Sequence, residues 1–131
     1  MLFTKSIFAP KEISDGIRIS VMSRHTLNDG VTLDSRITED SYDEWLQALA
    51  PPAKLVGAHY HRNLSWENFG KRYRIYLDSN GVKPLVIDLA ERALIKDLTL
   101  LCVEENAYEC HRGFLADVCK FYKSELIIEH R

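Results

Sequence analysis

The 131-residue chain is short of the residues that punctuate or staple a fold, with six glycines, four prolines and three cysteines. So few glycines and prolines exclude a collagen-like or low-complexity disordered chain. The cysteines, Cys102, Cys110 and Cys119, are odd in number and too few for a disulfide framework, so reduced thiols are expected. No stretch approaches the roughly 18 consecutive apolar residues of a membrane span. The first residues hold no secretory-type apolar run either, because Lys5 interrupts them and Pro10, Lys11 and Glu12 follow. Together these absences point to the cytoplasm. An excess of one charge is also missing: 17 Lys and Arg against 19 Asp and Glu give a formal charge of −2. That excludes a broadly basic nucleic-acid coat but leaves room for a local patch. No internal repeat is present.

What remains is an ordinary globular composition, 46% apolar and 27% charged, at a length that suits one domain over residues 1–131. Such a chain buries about two-thirds of its unfolded surface and needs no staples. Leu2 to Phe8 suits a strand, and Ser14-Asp15-Gly16 a turn. Ile17-Arg18-Ile19-Ser20-Val21-Met22 alternates as a half-buried strand should. Ser23 to Asp40 is a long polar loop with a turn at Asn28-Asp29-Gly30. Six acids and one base between Asp29 and Glu44 give it the character of a solvated surface.

Ser41 and Glu44 fit a capping box, with a helical stripe of Trp45, Leu46, Leu49 and Ala50 stopped by Pro51-Pro52. Lys54 to His59 reads as a short strand or an extended connection. Ser65 is an N-cap for a helix carrying Trp66, Phe69, Tyr73 and Leu77 on one core-facing side. Pro84 opens another helix, running to about Lys96 with Leu85, Leu89 and Ala93 inward. Leu98 to Val103 is a continuous apolar run, as a central strand of a parallel sheet requires. A helix from His111 to Tyr122 buries Phe114, Leu115, Val118 and Phe121 or Tyr122, with Cys119 in the core, and Leu126 to His130 closes as a strand. The helix–strand–helix–strand alternation predicts an α/β fold with a small, mainly parallel sheet covered by helices.

Chemistry concentrates in Cys102-Val103-Glu104-Glu105 and Glu109-Cys110-His111-Arg112, a strand end followed by a helix start. Ligands of open α/β sheets bind outside the carboxyl ends of strands. A helix start offers unpaired N–H groups and the positive end of the dipole. Arg112 adds a fork that matches phosphate or carboxylate. The same surroundings would lower the Cys110 thiol and make it a nucleophile, with His111 as acid–base group. The Cys-x5-Arg spacing of phosphatase and rhodanese loops is absent, and a packed helix start with Arg112 paired to Glu104 or Glu105 is the bland alternative. Cys102, Cys110 and His111, with His59 or His61, could be metal ligands, but no Cys-x2–4-Cys pair of a zinc site is present, so no metal is assigned.

Several segments together resemble the domain of unknown function 488 family. They are Asp15-Gly16-Ile17-Arg18-Ile19 with Arg24 after it, Leu49-Ala50-Pro51, the stretch from Tyr60 to Phe69 with Trp66, Tyr73 to Leu77, Thr99-Leu100-Leu101-Cys102, and Cys110-His111-Arg112. Their order and spacing cover nearly the whole chain. The resemblance implies a compact α/β domain with Cys-His-Arg at a helix start, and it carries no reaction, cofactor or substrate. Some members have Trp-Pro-Arg-Gly after the second strand, where this chain has His25 to Gly30, leaving Arg24 as the nearest arginine.

The leading functional expectation is therefore a pocket for an anionic, phosphate-bearing small molecule. Cys110 and His111 would be its chemical groups, with Arg24, Arg112, Glu104 and His61 as its ligand-binding residues. The alternatives are a nucleic-acid-binding module or a non-catalytic interaction domain. The first would use the segment 59–76, where Arg62, Lys71, Arg72 and Arg74 face a single acid, Glu67, and aromatics are interleaved. Helical spacing assigns Trp66, Phe69 and Tyr73 to the core first.

Overall fold

The computed structural model describes residues 1–131. Five strands alternate with four helices: β1 (Leu2–Ser6), β2 (Ile17–Ser20), β3 (Glu44–Trp45), α1 (Ala53–His61), α2 (Trp66–Leu77), α3 (Lys83–Ile95), β4 (Leu98–Cys102), α4 (His111–Tyr122) and β5 (Ile128–His130). The sheet order is β3-β2-β4-β1-β5, and every pairing is parallel. The apolar run Leu98–Cys102 is the central strand, buried along its whole length, as its composition requires. No helix is long and apolar enough to cross a membrane.

Period-two alternation divides the sheet into two unlike faces. Leu2, Ile19, Leu98 and Leu100 point to one side, where they form a continuous core with Phe69, Tyr73, Leu89 and Leu115 of the helices. Lys5, Arg18 and Thr99 point to the other side, which loops cover. There Asp15 is fully buried and takes hydrogen bonds from Lys5 at 3.0 and 3.2 Å and from Arg18 at 2.6 Å. Lys5 also donates to the Pro10 carbonyl, and Arg18 to that of Ser41. These bonds clamp the 8–16 and 34–43 segments onto the sheet.

The two faces follow from the strand order. The connections β1→β2 and β2→β3 step across the sheet in one direction, and β3→β4 and β4→β5 in the other. Right-handed crossovers put opposite steps on opposite faces. The loops accordingly lie on one face and the helices on the other. β4 sits between β1 and β2, whose connections leave on the face opposite to its own. That arrangement opens a crevice at the carboxyl end of β4.

Three local expectations change. Residues 41–50 form no α-helix, only a 3-10 turn at Gln47–Leu49: Trp45 pairs with Ser20 in the sheet, Leu46 N–H donates to the Ser20 carbonyl at 2.9 Å, and the Trp45 indole donates to the Met22 carbonyl at 2.6 Å. An isolated helix so short is marginal, and pairing with the free edge of β2 wins. Ser41 is not the N-cap: Thr38 caps a single 3-10 turn at Glu39–Ser41, and Ser41 closes its capping box by accepting from the Thr38 N–H. Pro51-Pro52 begins a helix rather than ending one, so Lys54–His59 lies within α1. In α3 the apolar stripe is rotated slightly, with Val86, Leu89, Ala90 and Ala93 buried and Leu85 exposed, while in α4 Tyr122 rather than Phe121 packs against the core beside Phe114, Leu115 and Val118. The Ser65 cap stands as expected, accepting from Asn68 N–H at 3.1 Å.

Candidate active site

The end of β4 and the start of α4 meet in the crevice. Cys102 is the last residue of β4, and Cys110 is the N-cap of α4. An N-cap side chain normally offers an oxygen to the N–H two or three residues on. Cys110 makes no such side-chain cap bond; its sulfur instead lies on the side of the Arg112 amide, which favours its charged form. His111 follows directly. Its Nε2 is 2.7 Å from the Val21 carbonyl at the end of β2, to which it donates. Its Nδ1 is then turned to the sulfurs, 3.6 Å from Cys102 and 4.0 Å from Cys110. The Tyr73 ring meets the imidazole edge-on at 5.8 Å and fixes its plane.

These neighbours decide the charge of the thiols. Burial by itself raises Cys110. The hydrogen bond from the Cys102 thiol, the positive His111 and the Arg112 amide outweigh it, and Cys110 falls well below the usual thiol range. Cys102 moves the opposite way: donating to Cys110, burial and the adjacent negative charge all hold it protonated. The pair is thus a thiolate at 110 supported by a thiol at 102. Cys119 lies in the helical core, where burial pushes it up to about 12. It is the inert cysteine of the three.

Residues 2–123 match the family DUF488-N3a, described as the active DUF488-N3 subclade. The chain belongs to that family. No curated protein and no solved structure matches it.

In this DUF488-N3a chain the other expected site residues scatter. Arg112 is fully buried but points back into its own loop, donating to the carbonyls of Glu104 at 2.5 Å and Glu105 at 3.0 Å. Its fork therefore holds the main chain of Glu104 and Glu105, not their carboxylates. Its Nε is the one buried side-chain nitrogen or oxygen without a partner. Arg24 reaches the Gly30 carbonyl, at 3.5 Å, within the 26–33 hairpin, and no bond joins it to the thiols. Glu104 is exposed on the loop, and His61 is exposed at the end of α1. Of the basic segment, Lys71 pairs with Glu67 and Arg74 with Asp117, while Trp66 and Phe69 stack together at 4.7 Å and pack in the helical core.

A small cavity of about 50 Å³ adjoins Cys110, lined by Ala107, Tyr108, Gly113, Phe114, Asp117 and His130. His130 comes from β5, and its Nδ1 is 2.7 Å from the Thr4 hydroxyl. Burial lowers His130, with Arg112 acting the same way and Asp117 against it. None of His130, Asp117 and Tyr108 stands out in the sequence, since they come from two elements and a loop. The Cys102 and Cys110 sulfurs and a His111 nitrogen all lie within 4.8 Å of one another. That spacing could also hold a thiophilic cation, although the Cys-x7-Cys separation gives no zinc signature.

Proposed function

We propose that this chain is a thiol enzyme, with Cys110 as the nucleophile and a small electrophilic molecule as its substrate. The observation that carries the reading is the setting of the Cys110 sulfur at the N-cap of α4, faced by the Arg112 amide, His111 and the Cys102 thiol. A thiolate stabilised in this way is the attacking form in covalent thiol catalysis. The anion accommodated by the helix start is then the sulfur itself rather than a substrate phosphate. Two facts move the reading away from the phosphate-bearing ligand: Arg112 is occupied by its own loop, and Asp117 lines the cavity. Arg24, Glu104 and His61 have no part in this proposal. His111 acts as a positioning and charge-balancing residue, because both its nitrogens are engaged.

The test is the alkylation rate of each cysteine against pH in the native protein, read by peptide mapping. Cys110 is expected to react with a midpoint well below the free-thiol value of about 8.5, and Cys119 to stay unmodified. A Cys110 that titrates normally or does not react would overturn the reading. So would a stoichiometric metal in the freshly purified protein, which would make the three side chains ligands instead. An increase in Tm with added phosphate would return the anion pocket to first place.

A further inference from the structure

Resting on that reading, we propose that the electrophile is a hydroperoxide and that Cys102 is the resolving thiol, so that one turnover closes a Cys102–Cys110 disulfide. The argument begins with placement. Among the three cysteines only these two meet, with sulfurs within 4.8 Å at the switch point of the sheet. Cys102 and Cys110 share a small cluster with Ile7, Met22 and Leu101, apart from the large helical core that holds Cys119. The segment between them lies outside both β4 and α4 and is exposed at most positions. Drawing the sulfurs to a bonded distance of about 2.05 Å therefore breaks no strand or helix ladder.

Size and polarity select the substrate. The cavity beside Cys110, about 50 Å³, holds only a group of a few heavy atoms. A peroxide fits that space, and a bulky acyl or glycosyl group does not. A peroxide oxygen also needs hydrogen-bond donors. His130 lines the cavity with one ring nitrogen bound to Thr4 and the other free.

The steps balance. The Cys110 thiolate attacks one peroxide oxygen, an S–O bond forms and the O–O bond breaks. Sulfur is oxidised by two electrons to the sulfenic acid, and the peroxide is reduced to an alcohol or water. The oxygens accept the proton that Cys102 gives up together with one from solvent. The Cys102 thiolate then attacks the sulfenic sulfur, an S–S bond forms, and hydroxide leaves and is protonated to water. Two equivalents of an external thiol return the disulfide to the starting pair.

The experiment treats the full-length reduced protein with stoichiometric hydrogen peroxide, followed by intact-mass and non-reducing peptide analysis. A loss of about two mass units, a linked Cys102–Cys110 peptide, an unchanged Cys119 and reversal by a thiol reductant are expected. In C102S the same treatment should leave a Cys110 sulfenic acid that a dione probe traps, and C110S should form neither product. Oxidation of Cys110 straight to sulfinic or sulfonic acid in the wild type, with Cys102 unlinked, overturns the proposal. So does a Cys110 no faster with peroxide than Cys119. In both cases Cys110 still alkylated at neutral pH leaves the thiol-enzyme reading standing. A Cys110 unreactive to alkylation as well removes both.

Discussion

Replacing His111 by alanine removes the one side chain that faces both thiols, at 3.6 and 4.0 Å, and also binds β2 through the Val21 carbonyl. Two unit charges 4 Å apart attract by about 4 kcal/mol at an effective dielectric of about 20, which bounds the effect from above. Hydrogen bonds to charged groups contribute about 1.5–3 kcal/mol. At about 1.36 kcal/mol per pKa unit, H111A should raise the apparent Cys110 midpoint by about one to two units. The assay is the iodoacetamide rate from pH 4 to 10, with the high-pH plateau as internal control. A shifted midpoint with an unchanged plateau identifies a charge effect. A lower plateau with an unmoved midpoint identifies mere disorder of the site. A midpoint within a few tenths of the wild-type value would refute the assignment of His111 as the counter-charge.

Cys110 also makes stability depend on pH. Because its folded value lies below the unfolded one, its contribution is complete above about pH 8.5 and is lost as pH falls toward the folded value. The advantage of wild type over C110S in urea unfolding should therefore shrink from pH 8 to pH 5, by at most about 1.4 kcal/mol per pH unit. Cys102, shifted upward, loses its contribution only above pH 8.5 and leaves that window undisturbed. A Cβ on Gly113 would stand 2.4 Å from the Ala107 carbonyl oxygen, so G113A should cost about 1–3 kcal/mol and slow Cys110 alkylation, whereas G57A, with open space around it, should stabilise α1 by about 0.5–1 kcal/mol in the same thermal assay. D15N leaves Lys5 and Arg18 buried without their carboxylate and should cost about 3–5 kcal/mol at pH 7. Burial raises Asp15, but the Glu12 amide, Lys5 and Arg18 outweigh it, so its contribution is present above about pH 3.9 and lost below, and the two proteins should converge in acid.

The central strand, the two amphipathic helices α2 and α4 and the parallel sheet were legible because each rests on a strong periodic or compositional signal. Leu98–Cys102 is apolar throughout, Trp66–Leu77 keeps helical spacing, and Ser65 caps where a serine should. The 41–50 segment misled because its stripe is compatible with a helix, while the partner that defeats it, the free edge of β2, is remote in sequence. Pro51-Pro52 carried the right signal of a boundary with the wrong direction. In the site, Cys110 and His111 could be singled out because a helix start can be read from local sequence. The approach of Cys102 to Cys110 entered the sequence reading only as part of a metal-ligand option that carried no zinc signature, since it depends on how residues 103–109 fold back. Arg112 shows the limit of residue chemistry as a guide: a guanidinium suits an anion, but here the nearest acceptors are the carbonyls of its own loop.

The Cys-His-Arg motif thus divides its labour along the first turn of one helix, where successive side chains point about 100° apart. Cys110 turns to Cys102 and the cavity, His111 to the end of β2, and Arg112 to the carbonyls of the loop after β4. Only the first is free to meet a substrate. The other two tie the helix start to the strand and the loop that define the crevice, while Ser6 at the end of β1 binds the Val103 carbonyl from the other side. Trp66 of α2 secures the same loop through the Tyr108 carbonyl. The thiol pair is consequently held from both strands that flank β4 and from two helices. Placement by topology and restraint by these bonds hold the Cys110 sulfur in a fixed, buried position at the helix start, which is the preorganisation that the proposed nucleophile requires.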